Sequence, residues 1–288
     1  MLRIALPNKG RLSDDARDLF NQAGLEVRVS GDRALSASLG GEFEAIFVRA
    51  QDVPEFVADG AADAGITGFD IASESERELT SLLDLEFGRC RLVVAAREDS
   101  SAQSVSDMPT GARVATVFPK TTRRFFETLQ KPIQIVPMSG AAEIAPHLGI
   151  ADFIVDITST GSTLKTNGLR EIGTVADSTA KLFGCASRQT WPPEKQKALE
   201  ELIGALDSVV RARGKRYLMA NVPRTALSKV KEILPGLNGP TVVDILDGGI
   251  HVAVHAVVPT KSVYRTIAAL KTLGAEGILL TRIERLMP

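Results

Sequence analysis

Aromatic side chains are scarce in this 288-residue chain: they make up 5% of it, and tryptophan occurs once. Proteins that bind single-stranded nucleic acid usually stack the bases on aromatic rings, so this composition argues against a nucleic-acid surface. Cysteine is scarce as well, with Cys90 and Cys185 alone, too few for a disulfide framework. We therefore expect no nucleic-acid partner and a reducing compartment.

Long hydrophobic runs are absent. No apolar stretch approaches the roughly 20 residues that span a bilayer, and the opening "MLRIALPNKGRL" lacks the apolar segment of a signal peptide. The chain is nevertheless 44% hydrophobic and 24% charged, so it can bury a core. We expect a cytoplasmic protein with no membrane partner.

Histidine occurs three times, as His147, His251 and His255. A zinc site needs more ligands than these can supply, so we expect no metal site built on histidine. So few histidines also give no basis for a Ser/His/Asp triad. The motif G-x-x-x-x-G-K-[ST] does not occur, and no G-x-G-x-x-G follows the first apolar run, which excludes a P-loop and argues against a dinucleotide site there.

The formal charge of −1 hides an uneven distribution. Residues 1–210 hold 22 Lys and Arg against 30 Asp and Glu, a net charge of −8, whereas residues 211–288 hold 12 against 5, a net charge of +7. A basic end can be a nucleic-acid tail. Because this one has its own strand and helix periodicity, we interpret it as a separate small domain.

Apolar runs alternate with helical patterns through the first part of the chain. This order predicts an α/β protein with a parallel sheet. The segment "SDDARDLFNQAGL" predicts a helix that Ser13 caps and Gly24 ends. We also expect a strand over 25–29 and a helix in "GAAEIAPHLG" at 140–149.

The pattern changes after the Pro192-Pro193 pair, which starts a long amphipathic helix. The order β-α-β-β-α-β follows over about 75 residues, the order of a ferredoxin-like unit. We expect a second, α+β domain here.

The stretch "ADFIVDITSTGST", residues 151–163, predicts a strand that ends in Asp156 and a loop of hydroxyl and glycine residues. In open α/β sheets ligands bind beyond the carboxyl ends of strands. Small residues there let backbone N–H groups converge on a phosphate, and a carboxylate accepts hydrogen bonds from sugar hydroxyls. The stretch therefore indicates a sugar-phosphate site, with a solvated Ser/Thr-rich turn as the alternative.

Other strand ends carry charged residues too. Lys9 and Arg11 follow the first strand beside a glycine, and paired cations suit a polyphosphate. The segment "ITGFD" ends in Asp70, and "TVFPKTTRRFFE" brings two threonines and two arginines to another strand end. Together these ends indicate a cleft that holds an anionic ligand.

Several of these segments, in this order, resemble the ATP phosphoribosyltransferase family. The resemblance is carried by "NKGRLSDD", "DAGITGFD", "FGRCRL", "GAAEIAPHLGIADFIVDITSTGSTLKTNGL" and "YLMANVPRTALSKVKEILPGLNGPT". The C-terminal domain is typical of the long form of that family. The resemblance implies two α/β lobes like those of periplasmic binding proteins, followed by an ACT-like domain.

The resemblance also implies a reaction: transfer of the phosphoribosyl group of phosphoribosyl pyrophosphate to N1 of ATP, with Mg²⁺ accompanying the substrate. Lys9 and Arg11 are the implied catalytic residues. The implied substrate-binding residues are Arg49, Asp70, Glu143, Asp152, Asp156, Thr158, Ser159, Thr160, Gly161, Ser162 and Thr163. The implied domains are 1–92 with 180–212, then 93–179, then 213–288.

Feedback inhibition by histidine is a further implication, with Asn221, Thr241 and Gly277 near that ligand. Asn221 stands where the family often has an acid. A homo-oligomer is expected, a hexamer or a dimer. The rival hypothesis is a two-lobed protein that only binds an anionic solute, since the fold serves both functions. A nucleic-acid-binding regulator is disfavoured, because the aromatic and glycine-rich RNA-binding signature is absent.

Overall fold

The computed structural model describes residues 1–28, 34–246 and 249–287. The chain divides into two compact units, Met1–Ile203 and Gly204–Pro288. The finer domain bounds expected from the sequence stay predictions. Within the described ranges, no helix combines the length and the apolar character needed to cross a membrane.

The first unit alternates strands and short helices. Its strands are β1 (Leu2–Pro7), β2 (Ser36–Ser38), β3 (Phe43–Val48), β4 (Ala64–Gly68), β5 (Leu79–Asp84), β6 (Cys90–Arg97), β7 (Ala112–Thr116), β8 (Ile133–Pro137), β9 (Phe153–Thr158), β10 (Leu169–Ser178) and β11 (Ala180–Cys185). Its helices are α1 (Arg11–Gln22), α2 (Val53–Ala58), α3 (Phe69–Ser75), α4 (Pro119–Thr128), α5 (Ser162–Thr166) and the start of α6 (Pro193–Ala212).

These strands form two sheets, in the orders β2-β3-β1-β4-β11-β5 and β10-β6-β9-β7-β8. The expected parallel pairing is correct for β1 with β3 and β4, and for β7 with β8 and β9. It is wrong for β6, β10 and β11, which run antiparallel to their neighbours. The reason is that the chain passes from the first sheet to the second after β5 and returns after β10.

Apolar side chains fill both faces of the second sheet. Leu92 and Val94 lie on one face with α4, and Val93 and Ala95 lie on the other with Leu164 of α5. In the first sheet, a Cβ at Gly65 would come within 2.6 Å of Val53 in α2, so only glycine allows this close approach. Tight packing on both sides explains the continuous apolar runs in the sequence.

Three local predictions are corrected by the structure. Helix α1 begins at Arg11, so Ser13 lies buried inside the helix instead of capping it. The helix expected over 140–149 is one 3₁₀ turn, Ala142–Ile144, because Pro146 cannot continue a helix. Of the strand expected at 25–29, Arg28 makes a single bridge to Ser38, and residue 29 lies outside the described residues.

The second unit is the expected β-α-β-β-α-β unit. After α6 it contains β12 (Lys215–Pro223), α7 (Leu227–Ile233), β13 (Thr241–Asp244), β14 (His251–Pro259), α8 (Val263–Thr272) and β15 (Glu276–Arg282). The antiparallel sheet has the order β13-β14-β12-β15. Alternate residues of β12 and β14 are buried against α7 and α8. The predicted fold class, a two-lobed α/β part with a ferredoxin-like α+β unit, is confirmed.

Candidate active site

A cleft of about 600 Å³ lies between the helices of the first sheet and the strand ends of the second. Asp70 and Glu74 of α3 line one wall, and Lys120, Glu143 and Asp156 line the other. The carboxyl ends of β4, β7 and β9 therefore meet at one place, as expected for a ligand site in an α/β protein.

Asp70 is held rigidly at the cleft wall although it is buried. The Ser178 hydroxyl donates to Asp70 Oδ1 at 2.6 Å, and the Asp70 N–H donates to Ser178 Oγ at 3.0 Å. A Cβ at Gly68 would overlap the Asp70 carboxylate, so glycine at this position preserves the arrangement. Burial, and then the charge of Asp70, raise the pKa of the neighbouring Cys90 thiol, which stays protonated.

Asp156 lies at the end of β9, half-buried in the cleft. Burial raises the pKa of Asp156 and the negative charge of Glu143 raises it further, while the Ile157 N–H, donating to Asp156 Oδ1 at 2.7 Å, opposes the shift. Because two carboxylates face each other here, the site favours a ligand that donates hydrogen bonds, such as the hydroxyls of a sugar.

The loop after β9 forms a tight turn into α5. The Gly161 N–H donates to the buried Thr158 hydroxyl at 2.9 Å, and Gly161 has φ +78°, which favours glycine. The side chains of Ser159, Thr160, Ser162 and Thr163 are exposed around this turn. Thr158 thus shapes the loop, and the exposed hydroxyls face solvent, where a phosphate can reach them.

A second pocket, of about 680 Å³, is lined by Lys9 and Arg49 at the ends of β1 and β3. Gln51 borders both this pocket and the cleft. Arg11, the first residue of α1, follows directly and is exposed. In the described part of the chain none of these three cations forms an ion pair, so their charge stays available to an anionic ligand.

The structure does not bring Asp152 to the cleft. It precedes β9, at the opposite end of the strand from the loop, and Arg113 binds its carboxylate at 2.8 Å. The Arg113 guanidinium also lowers the pKa of Asp152. Its position and its partner give Asp152 a structural role.

Sequence reasoning missed three residues of the cleft and its surroundings. Lys120 lay in a segment already recognised as a charged strand end, so a signal for it existed. No sequence signal indicates Glu74 or Ser178. The pattern predicts neither α3 nor β10, and both residues bind partners far away in the sequence, Lys120 and Asp70 respectively.

The described residues contain no group of three or more His, Cys, Asp or Glu placed to hold an ion. Mg²⁺, however, commonly binds through one or two carboxylates together with substrate phosphates and water. The cleft carboxylates of Asp70, Glu143 and Asp156 fit this kind of binding, in which the ion arrives together with the substrate.

In the second unit, Asn221 and Gly277 are neighbours: a Cβ at Gly277 would lie 3.5 Å from Asn221 Nδ2. Thr241 begins β13, at the opposite edge of the four-stranded sheet from β15. Strands lie about 4.8 Å apart, so Thr241 and Gly277 are separated by about 14 Å across the sheet. A small ligand that touches all three residues would therefore have to lie between two copies of the unit.

Comparison with known proteins agrees with this architecture. The family model HisG, ATP phosphoribosyltransferase, matches residues 49–208, and the model of the HisG C-terminal domain matches residues 212–285. The ATP phosphoribosyltransferase of Gemmatimonas aurantiaca is 66% identical over 100% of both chains. That of Haloarcula marismortui is 48% identical over 99% of this chain and 100% of its own.

A solved structure agrees as well. The ATP phosphoribosyl transferase (HisG:HisZ) complex from Thermotoga maritima contains a chain with 28% identity and a TM-score of 0.62, covering 73% of this chain and 99% of that one. From these matches, the chain is an enzyme of the ATP phosphoribosyltransferase family and carries the C-terminal domain of that family.

Proposed function

We propose that this enzyme transfers the phosphoribosyl group of phosphoribosyl pyrophosphate to N1 of ATP and releases pyrophosphate, the first step of histidine biosynthesis. The observation that carries the proposal is the end of β9, where Asp156 lines the cleft and the exposed hydroxyl loop begins three residues later, at Ser159. A carboxylate for ribose beside a loop for its phosphate suits a phosphoribosyl group.

The proposed roles follow from position. Thr158 shapes the loop, and Ser159 to Thr163 hold the 5′-phosphate; Asp156 and Glu143 accept hydrogen bonds from the ribose hydroxyls. The cations of the second pocket, Lys9 and Arg49, together with Arg11, face ATP and the departing pyrophosphate. Asp70, fixed by Ser178, lines the opposite wall of the cleft.

Catalysis in such a site is mainly electrostatic. Negative charge develops on the leaving pyrophosphate, where Lys9 and Arg11 stabilise it. The carboxylates of Asp70, Glu143 and Asp156 would hold an Mg²⁺ that accompanies the substrate, and its charge would neutralise the pyrophosphate further. Holding the two substrates in line lowers the barrier again. N1 of adenine carries no proton to lose, so the residues of the cleft need not include a general base.

A direct assay tests this function. The purified protein, mixed with ATP, phosphoribosyl pyrophosphate and Mg²⁺, is expected to change the ultraviolet absorbance as N1 of the adenine is substituted, and to release one pyrophosphate per product. Omission of either substrate is the control. Binding of the substrates without any product would contradict the transferase assignment and leave a solute-binding protein.

We also propose regulation by histidine and assembly into a homo-oligomer, a hexamer or a dimer. The opposite positions of Thr241 and Gly277 in the sheet support a ligand site between copies. Asn221 accepts a hydrogen bond from the ligand amino group but lacks the charge of an acid.

The free thiols of Cys90 and Cys185 support the cytoplasm as the compartment.

Histidine at millimolar concentration is expected to raise the melting temperature of the whole protein and to inhibit the transferase. Binding to the native state alone stabilises it by mass action. Asn221→Ala should weaken both effects while activity without histidine is retained. Calorimetry that detects no heat with histidine, together with full activity, would leave the second unit as an assembly element. Leucine serves as the control ligand.

A further inference from the structure

Two helices from different sheets meet at the rim of the cleft. Glu74 of α3 accepts the Lys120 N–H at Oε1, 2.9 Å away, and the Thr121 N–H at Oε2, 2.8 Å away. The first four N–H groups of a helix have no partner in that helix, and these two belong to the first turn of α4. Glu74 therefore caps a helix that belongs to the other sheet.

The neighbouring contacts have the same polar character. Arg124 Nη2 donates to the Ser73 carbonyl at 2.6 Å, and Lys120 Nζ donates to the Ser75 carbonyl at 3.3 Å. Lys120 Nζ also lies 3.4 Å from Glu76. Glu74 of α3 and Glu76, directly after it, thus face Lys120 and the N terminus of α4, where a carboxylate is favoured by the helix dipole.

The contact joins the two walls of the cleft. Asp70 and Glu74 are four residues apart in α3, so they lie on one face of the helix, and both line the cleft. Lys120 lines it from the other sheet. Where Glu74 is bound to α4, Asp70 is held at a fixed distance from the wall that contains Asp156.

We propose that Glu74 is a positioning residue: its carboxylate, by capping α4, holds the two sheets in the closed arrangement that phosphoribosyl transfer requires. This inference rests on the proposed function. Glu74 touches no substrate in this scheme. It acts through Lys120, Thr121 and the helix on which it shares a face with Asp70.

Two substitutions weaken the contact between Glu74 and α4 to different degrees. Glu74→Gln keeps one acceptor and loses the charge, while Glu74→Ala removes both acceptors. The KM for each substrate is expected to rise about tenfold in Glu74→Ala and less in Glu74→Gln, because the binding-competent closed form is less populated. The kcat should stay within about twofold, since bound substrates close the cleft at saturation. Glu127→Gln, an exposed acid of α4, is the matched control.

Hydrogen–deuterium exchange tests the contact itself, independently of turnover. In Glu74→Ala, the Lys120 and Thr121 amides should exchange at least tenfold faster than in the unsubstituted protein and in Glu127→Gln. Equal exchange in all three proteins would refute the cap. Faster exchange with unchanged KM values would make the cap purely structural and overturn the positioning role. If the unsubstituted protein shows no transferase activity, the proposed function and the positioning role both fail, whereas the exchange result still reports the cap.

Discussion

Replacing Gly161 by Val is expected to lower kcat/KM for phosphoribosyl pyrophosphate at least 100-fold. Gly161 has φ +78°, a conformation that a β-branched residue adopts only with strain of about 1–3 kcal/mol. The loop then moves, and its N–H groups and hydroxyls no longer converge on the phosphate. Loss of two charge-assisted hydrogen bonds, each about 1.5–3 kcal/mol, accounts for an effect of that size. Steady-state kinetics with each substrate varied is the measurement.

Gly111→Val provides the matched control. Gly111 has φ +76° and, like Gly161, open space where a Cβ would stand, but it precedes β7, at the opposite end of that strand from the cleft. Both variants should therefore lose similar stability, measured as the shift in melting temperature, while Gly111→Val keeps its affinity for the substrate. Equal kinetic loss in the two would mean that strain alone is responsible and would remove the loop from the site.

Asp156→Asn is expected to cost about 100-fold in kcat/KM and yet to raise the melting temperature. Burial and Glu143 raise the pKa of Asp156 in the native protein. An acid whose pKa is higher in the folded than in the unfolded protein lowers the stability of the fold as pH rises from the ordinary carboxyl pKa through the raised one. The amide removes that penalty and can still accept the Ile157 N–H, but it loses the charge that, in the proposed function, strengthens the hydrogen bonds from the ribose hydroxyls.

Asp152→Asn should show the opposite behaviour. Arg113 lowers the pKa of Asp152, so its ionised form stabilises the native protein above the ordinary carboxyl pKa, and that contribution is lost as pH falls through the lowered value. The variant should melt lower and keep its activity within about twofold. A fall in the melting temperature of Asp156→Asn, or a large loss of activity in Asp152→Asn, would reverse the assignment of these two residues.

Several residues of the candidate site could be predicted from the sequence, because the patterns that indicate them lie within short segments. The strand ends at Asp70 and Asp156 follow apolar runs directly, and a sheet brings such ends together. Glu143 and the hydroxyl loop came from the family resemblance and the loop composition. Asp152 came from the family resemblance alone, and its place before the strand puts it at the amino end of β9, away from the cleft.

The features that could not be predicted from the sequence depend on contacts between residues that are far apart along the chain. β10 mixes buried and exposed residues without a simple alternation, and β11 is a short, largely buried strand with half-buried Lys181 and Cys185, so nothing local indicates which sheet either strand joins. Ser178 acquires its role through Asp70, 108 residues earlier. Glu74 caps a helix 46 residues away. A pattern in one short segment does not specify partners at such distances.

The position of β11 has a consequence for how the chain folds during synthesis. β11 lies between β4 and β5 in the first sheet, although the whole second sheet separates it from them in sequence. When residues 1–92 have been synthesised, β5 is complete but its neighbour β11 has not yet been made. The first sheet therefore remains incomplete, with unpaired strand edges, until about residue 185 has emerged from the ribosome. Non-local pairing of this kind slows folding and leaves edges open to aggregation, so expression of residues 1–92 alone should give insoluble protein.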